Sequence, residues 1–326
     1  TFNIGANLGA MASATRLLFP SLDFLLLLVF FTFLSIGLQV FTSYERYAKY
    51  LKWLALILLS YVFSALSINL NFGELMRNTF IPSITFSRDQ IFLICAILGT
   101  TISPYLFFWQ TSQEVEEEIL KGKVTIAMRQ GTDKKHIKRL RLDVFSGMFI
   151  SNLVMYFIIA ACAATLFKEG ITNIQTSAQA AEALKPIAGN QAYLLFTLGI
   201  IGTGMLAVPI LAGASAYAIS EALQWKKQGL NKKLNDAHAF YGVIIFSMLV
   251  GLVLNLVGID PIPMLIYSAV ANGMIAPIIL FFIVRLSANK KVMGEWKNHW
   301  AITLVGITTI LIMSIAGIAT ILSFVI

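Results

Sequence analysis

Long apolar stretches alternate with short polar ones along this chain, and the apolar stretches are continuous rather than spaced as one face of a helix. An α-helix needs about 20 predominantly apolar residues to cross the hydrocarbon core of a bilayer. Nine stretches approach that length, near residues 2–18, 22–41, 51–70, 90–110, 143–167, 192–223, 238–257, 263–286 and 300–325. Backbone polar groups inside a bilayer must be satisfied within the protein, so the pattern predicts an all-α, polytopic membrane protein. The first stretch is the least apolar. Its Gly5, Gly9 and Ser13 recur at the spacing that lets two helix backbones approach closely.

The stretch 90–110 carries its own interruption. Gly99, Thr100, Thr101, Ser103 and Pro104 fall in its middle. Proline donates no backbone N–H and clashes with the carbonyl four residues back, so a straight helix is not expected across 99–105. Carbonyls freed at that depth are tolerated only inside protein or beside a polar cavity, and interrupted spans are pointers to transport sites. The plain alternative is a proline kink with its hydroxyls folded back onto their own helix.

Composition agrees with the pattern: 58% of residues are hydrophobic, 12% are charged, and the mean hydropathy is +0.79. The net charge of +8 becomes informative once it is located. Most of the 24 Lys and Arg lie in one set of alternate loops, at Arg46, Lys49 and Lys52, between Lys121 and Arg141, between Lys226 and Lys233, and between Arg285 and Lys297. The opposite loops hold only Arg16, Arg77, Arg88, Lys168 and Lys185. By the positive-inside rule the basic loops are cytoplasmic, the first stretch starts on that side, and the last ends outside. The run from Lys134 to Arg141 is therefore read as a topology signal and not as a nucleic-acid patch. The charge would draw anions and acidic lipid headgroups to the inner face. Cys95 and Cys162 both sit in apolar runs, so neither a disulfide framework nor a thiolate metal site is supported.

Other candidate chemistry is sparse. Glu114, Glu116, Glu117 and Glu118 follow the interrupted stretch and either gather cations or form a solvated helix end paired with the next lysines; Glu114 lies closest to the span. His136, His238 and His299 offer no zinc spacing and no triad. Asn152, Asn255 and Asn272 lie within apolar stretches, where an amide commonly bridges helices. Asn272 stands apart because Gly273 and Pro277 follow it. No carboxylate or histidine lies at membrane depth, which a proton-coupled carrier ordinarily needs. With no nucleophile–base pair at a shared depth, no enzyme is expected.

Three segments carry a resemblance: Asn3-Ile4-Gly5-Ala6-Asn7-Leu8-Gly9-Ala10-Met11, Gly202-Thr203-Gly204-Met205-Leu206-Ala207-Val208-Pro209, and Tyr44-Glu45-Arg46-Tyr47 with Leu51-Lys52-Trp53. They resemble the Nramp (natural resistance-associated macrophage protein) family of divalent metal transporters, over nearly the whole chain. The resemblance implies a LeuT-type inverted-repeat fold, of which helices three to eleven are present. It places the remainder of the first repeat at 1–89, the second repeat at 90–286 and an additional C-terminal span at 287–326. The chain opens on Thr1 with its first stretch already mid-pattern, so upstream sequence is expected, including the family's Asp-Pro-Gly-Asn metal site.

On this resemblance the interrupted stretch matches the family's Met-Pro-His point, with Ser103 in place of methionine and Tyr105 in place of histidine. Thr100, Thr101 and Ser103 become the implied metal site, with Pro104, Tyr105, Glu114 and Asn272 on the gating or ion pathway. The family's acidic proton-route positions appear as Asn7 and Ala10. A thioether suits manganese, iron or cadmium, whereas hydroxyls and carbonyls suit hard cations. The substitutions are similar to those of the Nramp-related magnesium transporter branch. The implied function is divalent cation transport at the plasma membrane by alternating access, with magnesium favoured over manganese or iron and proton coupling doubtful. The cation is substrate, and no cofactor is expected. Partners are the metal ion and the lipid bilayer, not nucleic acid. An amino-acid or organic-solute carrier of the same fold, or a non-transporting membrane sensor, stand as alternatives.

Overall fold

The computed structural model describes residues 1–42, 53, 56–68, 70–85, 87–174, 176–225 and 228–325. The segments Tyr44-Glu45-Arg46-Tyr47 and Leu51-Lys52, with the charges of Lys49 and Lys226, lie outside the described residues. The described elements are helical: α1 Phe2–Leu18, α2 Phe24–Phe41, α3 Leu59–Leu66, α4 Phe72–Phe80, α5 Arg88–Thr101 and α6 Pro104–Leu120. They continue as α7 Lys134–Cys162, α8 Ser177–Ala222, α9 His238–Leu256, α10 Pro261–Ser287 and α11 Trp300–Val325. Among the described residues seven helical segments are long and apolar enough to cross a membrane, α5 and α6 together making one. Helix α1, at 17 residues, is shorter. Much of the expected stretch 51–70 lies outside the described residues, with α3 at its end.

Side-chain caps fix several helix starts. Asp23 accepts the N–H of Leu26, Ser87 that of Gln90 and Asp133 that of His136, each satisfying an amide that the helix itself leaves free. The Asp133 cap starts α7 at Lys134, nine residues before the expected stretch at 143, because nothing in the basic run breaks a helix. Thr176 and Gln179 form a reciprocal capping box that starts α8 at Ser177, and the helix turns at Gly189, where φ is 85°.

The chain divides into two compact units, Thr1–Phe80 with Phe108–Ile262 and Ile81–Phe107 with Pro263–Ile326. In the first, α1 packs against α2, α8 and α9. The small residues of α1 permit this: a Cβ at Gly251 would sit 2.9 Å from the Gly5 nitrogen. The Asn255 amide donates to the carbonyls of Gly5 (2.7 Å) and Gly251 (2.9 Å), so it bridges α1 and α9 as expected of an amide in a span. Ala10 and Ala14 lie against Tyr61, Phe196 and Ile200. Helix α8 carries Gly202, where a Cβ would meet Ile57 at 2.6 Å, and Gly204, which faces Met11.

In the second unit α5 packs on α11, and Cys95 and Ala96 share a core with Ala269 and Val270 of α10. Both cysteines are unpaired.

Candidate cation site at the helix break

The interruption is shorter than the expected 99–105. Thr100 and Thr101 are still helical, and only Ile102 and Ser103 separate α5 from α6. Pro104 explains its position. In an unbroken helix the N–H of residue 104 would bond the Thr100 carbonyl, and proline has none. The Ser103 hydroxyl takes that place, donating to the carbonyls of Thr100 (2.8 Å) and Gly99 (3.1 Å). Thr101 also folds its hydroxyl back, onto Ile97. Ser103 is buried at 2% exposure. The last main-chain bond of α5 runs from Ile102 N–H to Leu98, and the first across the new start runs from Leu106 N–H to Ser103. Among the turn, loop and cap bonds of the described residues, none reaches the carbonyl of Thr101 or Ile102.

The break is held by a close helix crossing one turn before it. A Cβ added to Gly99 would run into the Ala269 carbonyl and the Gly273 backbone, and one on Gly273 would sit 2.5 Å from the Cys95 carbonyl. Only glycine allows α5 and α10 this approach. Asn272 is therefore placed on α10 beside the crossing, half-buried. The site so assembled is oxygen-only: two free carbonyls and one inward-bonded hydroxyl. Among the described residues no group of three or more His, Cys, Asp or Glu side chains is placed to hold a metal.

The remaining candidates lie in the first unit. Glu114 approaches His136 at 3.8 Å. Glu117 and Glu118 pair with Lys121 (3.6 Å) and Lys123 (2.9 Å), so these two form the solvated helix end. Glu116 is different, being buried at 6% exposure. It accepts the Tyr217 hydroxyl (3.1 Å) and the Asn231 amide, and Tyr217 in turn accepts the Leu230 N–H (3.1 Å). Sequence reasoning grouped Glu116 with its three neighbours and singled out Glu114 instead, and it did not reach the Ile102 carbonyl. The signal for Glu116 was present, since Trp109, Gln113 and Glu116 recur at helical spacing on one face. On α1, Asn7 donates to its own helix at Asn3, and Ala10 is buried. That helix carries no acidic residue.

A helix interrupted within one apolar span, on an all-α multi-pass scaffold, is a feature found in many membrane carriers. The family model for natural resistance-associated macrophage protein-like chains matches residues 1–323, and the chain belongs to the Nramp family, with its LeuT-type fold. It is a transporter-family membrane protein and not an enzyme. One relative, the "Divalent metal cation transporter MntH" of Caldanaerobacter subterraneus subsp. tengcongensis, is 25% identical over 75% of this chain and 53% of its own length. The protein of the same description from Yersinia enterocolitica is 26% identical over 86% of this chain and 63% of its own length. The "Uncharacterized membrane protein YcsG" of Bacillus subtilis is 24% identical over 98% of this chain and 72% of its own. The chain thus spans between about half and two thirds of the length of the MntH relatives it matches.

Proposed function

We propose that this chain forms the larger part of a divalent metal cation transporter of the plasma membrane that works by alternating access. The observation that carries the reading is the pair of unbonded carbonyls at Thr101 and Ile102, at a two-residue break inside a membrane span. Carbonyls without donors at membrane depth are costly unless a cation or water takes the donors' place. In this reading the cation binds the carbonyls of Thr101 and Ile102, with Thr100 and Ser103 shaping the turn. Pro104, Tyr105 and Asn272 border the ion path, and Glu114 lies toward the basic side.

The selectivity we propose is for a hard cation, magnesium ahead of manganese or iron. It is supported by Ser103 standing where the family resemblance implies a thioether, and by a donor set made only of oxygen. Proton coupling is absent in this reading, supported by an α1 without carboxylates at Asn7 and Ala10. The inverted-repeat division at 1–89 and 90–286 belongs to the same proposal.

The test is uptake by the complete protein in sealed proteoliposomes. Magnesium and manganese should enter without acidifying the lumen, and cadmium should compete poorly. Tight cadmium competition would refute the selectivity, and equal uptake in protein-free vesicles would refute transport itself.

A further inference from the structure

A second site lies at the lysine-rich end of the first unit, and it uses none of the residues of the helix break. A cavity of about 590 Å³ opens between the C-terminal ends of α2 and α6 and the loop that precedes α9. Its volume falls within the range of about 300–1,000 Å³ usual for small-molecule sites. One wall is cationic and polar, with Lys232, Lys233 and Asn235. The other is apolar, with Val40, Phe41 and Leu120. Phe41 is 84% exposed, a large apolar ring at the end of a membrane span.

The loop is held in place from behind. Asn231 commits its amide to Glu116, and the Tyr241 hydroxyl donates to the Lys232 carbonyl at 2.8 Å. These two lining residues therefore fix the wall from which Lys232 and Lys233 reach solvent, although the Lys232 charge also acts on the Glu116 carboxylate behind it. Both lysines are exposed, and neither forms an ion pair with a described residue. No acidic residue lines the cavity among the described residues. The C-terminal carbonyls of α2 and α6 alone would repel an anion. Two ammonium groups reverse the sign.

We infer that this cavity binds an anionic phospholipid from the adjoining leaflet. The headgroup phosphodiester meets Lys232, Lys233 and Asn235, and an acyl chain lies along Val40, Phe41 and Leu120. The charge bias of the loops assigns this end to the cytoplasm, where basic pockets beside spans meet acidic lipid. A free phosphate would use the lysines but leave the apolar wall in water.

The purified chain in a nonionic detergent tests this. It is equilibrated with phosphatidylglycerol or phosphatidylcholine of matched chains, washed, and assayed for retained lipid phosphorus. Phosphatidylglycerol should half-saturate at about 30-fold lower concentration, about fivefold for each lysine. Lys232→Gln with Lys233→Gln should erase the preference, while Lys290→Gln with Lys291→Gln, another basic pair, should leave it intact. Should the double variant aggregate, each single variant is expected to lose about fivefold. Glycerol phosphate at the same concentration should not displace the lipid, and displacement would mark a soluble phosphate site and overturn the proposal. Equal retention of the two lipids, a preference that survives the 232/233 changes, or an equal loss in the 290/291 pair would also overturn it.

Discussion

The Tyr217 hydroxyl donates to the Glu116 carboxylate across 3.1 Å, tying the far end of the interrupted span to the central helix α8. Both groups are buried, and the same phenol oxygen accepts the Leu230 N–H, so one side chain orders a helix and a loop. Gly229, at φ 109°, brings the backbone close enough for this; a Cβ there would strike the carboxylate. Trp109, two turns back along α6, extends the contact, its ring 6.2 Å from that of Tyr217 and lying over Gly213.

Tyr217→Phe keeps the ring but strands the Leu230 N–H and removes one donor from Glu116. Leaving a buried polar group unsatisfied costs about 1–3 kcal/mol. The midpoint of thermal unfolding in detergent should therefore fall for Tyr217→Phe, and fall further for Glu116→Ala, which empties the centre of the network. An unchanged midpoint for both would show that the network carries no stability.

Much of this was legible from the chain because membrane spans are written in long apolar runs, and Pro104 marks its own break. The Gly5, Gly9 and Asn255 contacts were legible because small residues and amides in apolar spans have few other uses. Other features could not be read. The true extent of the break depends on whether Ser103 or a main-chain amide serves the Thr100 carbonyl, which is a matter of geometry. Glu116 looked like one of four similar carboxylates, and only the fold separates it from Glu117 and Glu118 by burying it against Tyr217. The early start of α7 was hidden because the pattern marks apolar residues, whereas the Asp133 cap begins the helix in a basic stretch.

The crossing of α5 and α10 predicts a sharp contrast among glycines. Gly99→Ala places a methyl group into the Ala269 carbonyl, and backbone cannot step aside as a flexible side chain can. Overpacking of this kind costs about 1–3 kcal/mol, and more where backbone is the obstacle. Gly37→Ala meets nothing within 4 Å. Size-exclusion profiles of fluorescently tagged protein should show Gly99→Ala aggregated or poorly expressed and Gly37→Ala unaffected. Matching profiles would mean that the two helices have room to move apart at the crossing.

Asn255 predicts a smaller, separable loss. Replacing it with leucine removes the donor shared by the Gly5 and Gly251 carbonyls and fills the space beside Gly9. Interhelical hydrogen bonds in membranes contribute about 0.6–2 kcal/mol each. Asn255→Ala should therefore lower the unfolding midpoint modestly, and Asn255→Leu more, because the branched chain also presses on α1. The reverse order would show that α1 yields to the branched chain and that the space left by alanine costs more than the crowding.

The break itself gives the most direct test of the cation site. Pro104→Ala supplies an N–H that can return to the Thr100 carbonyl and removes a residue that costs about 3 kcal/mol inside a helix. The helix can then close through Ile102 and Ser103, handing the Thr101 and Ile102 carbonyls to the amides of Tyr105 and Leu106. In the complete protein this variant should lose radiolabelled magnesium and manganese binding while gaining thermal stability. Ser103→Met leaves the proline in place and adds a soft thioether, so binding should persist and shift toward cadmium. The two variants separate backbone from side chain: closure removes every metal, whereas the thioether only reorders them. Undiminished magnesium binding by correctly inserted Pro104→Ala protein would place the cation elsewhere, because nothing else in that variant keeps those two carbonyls free.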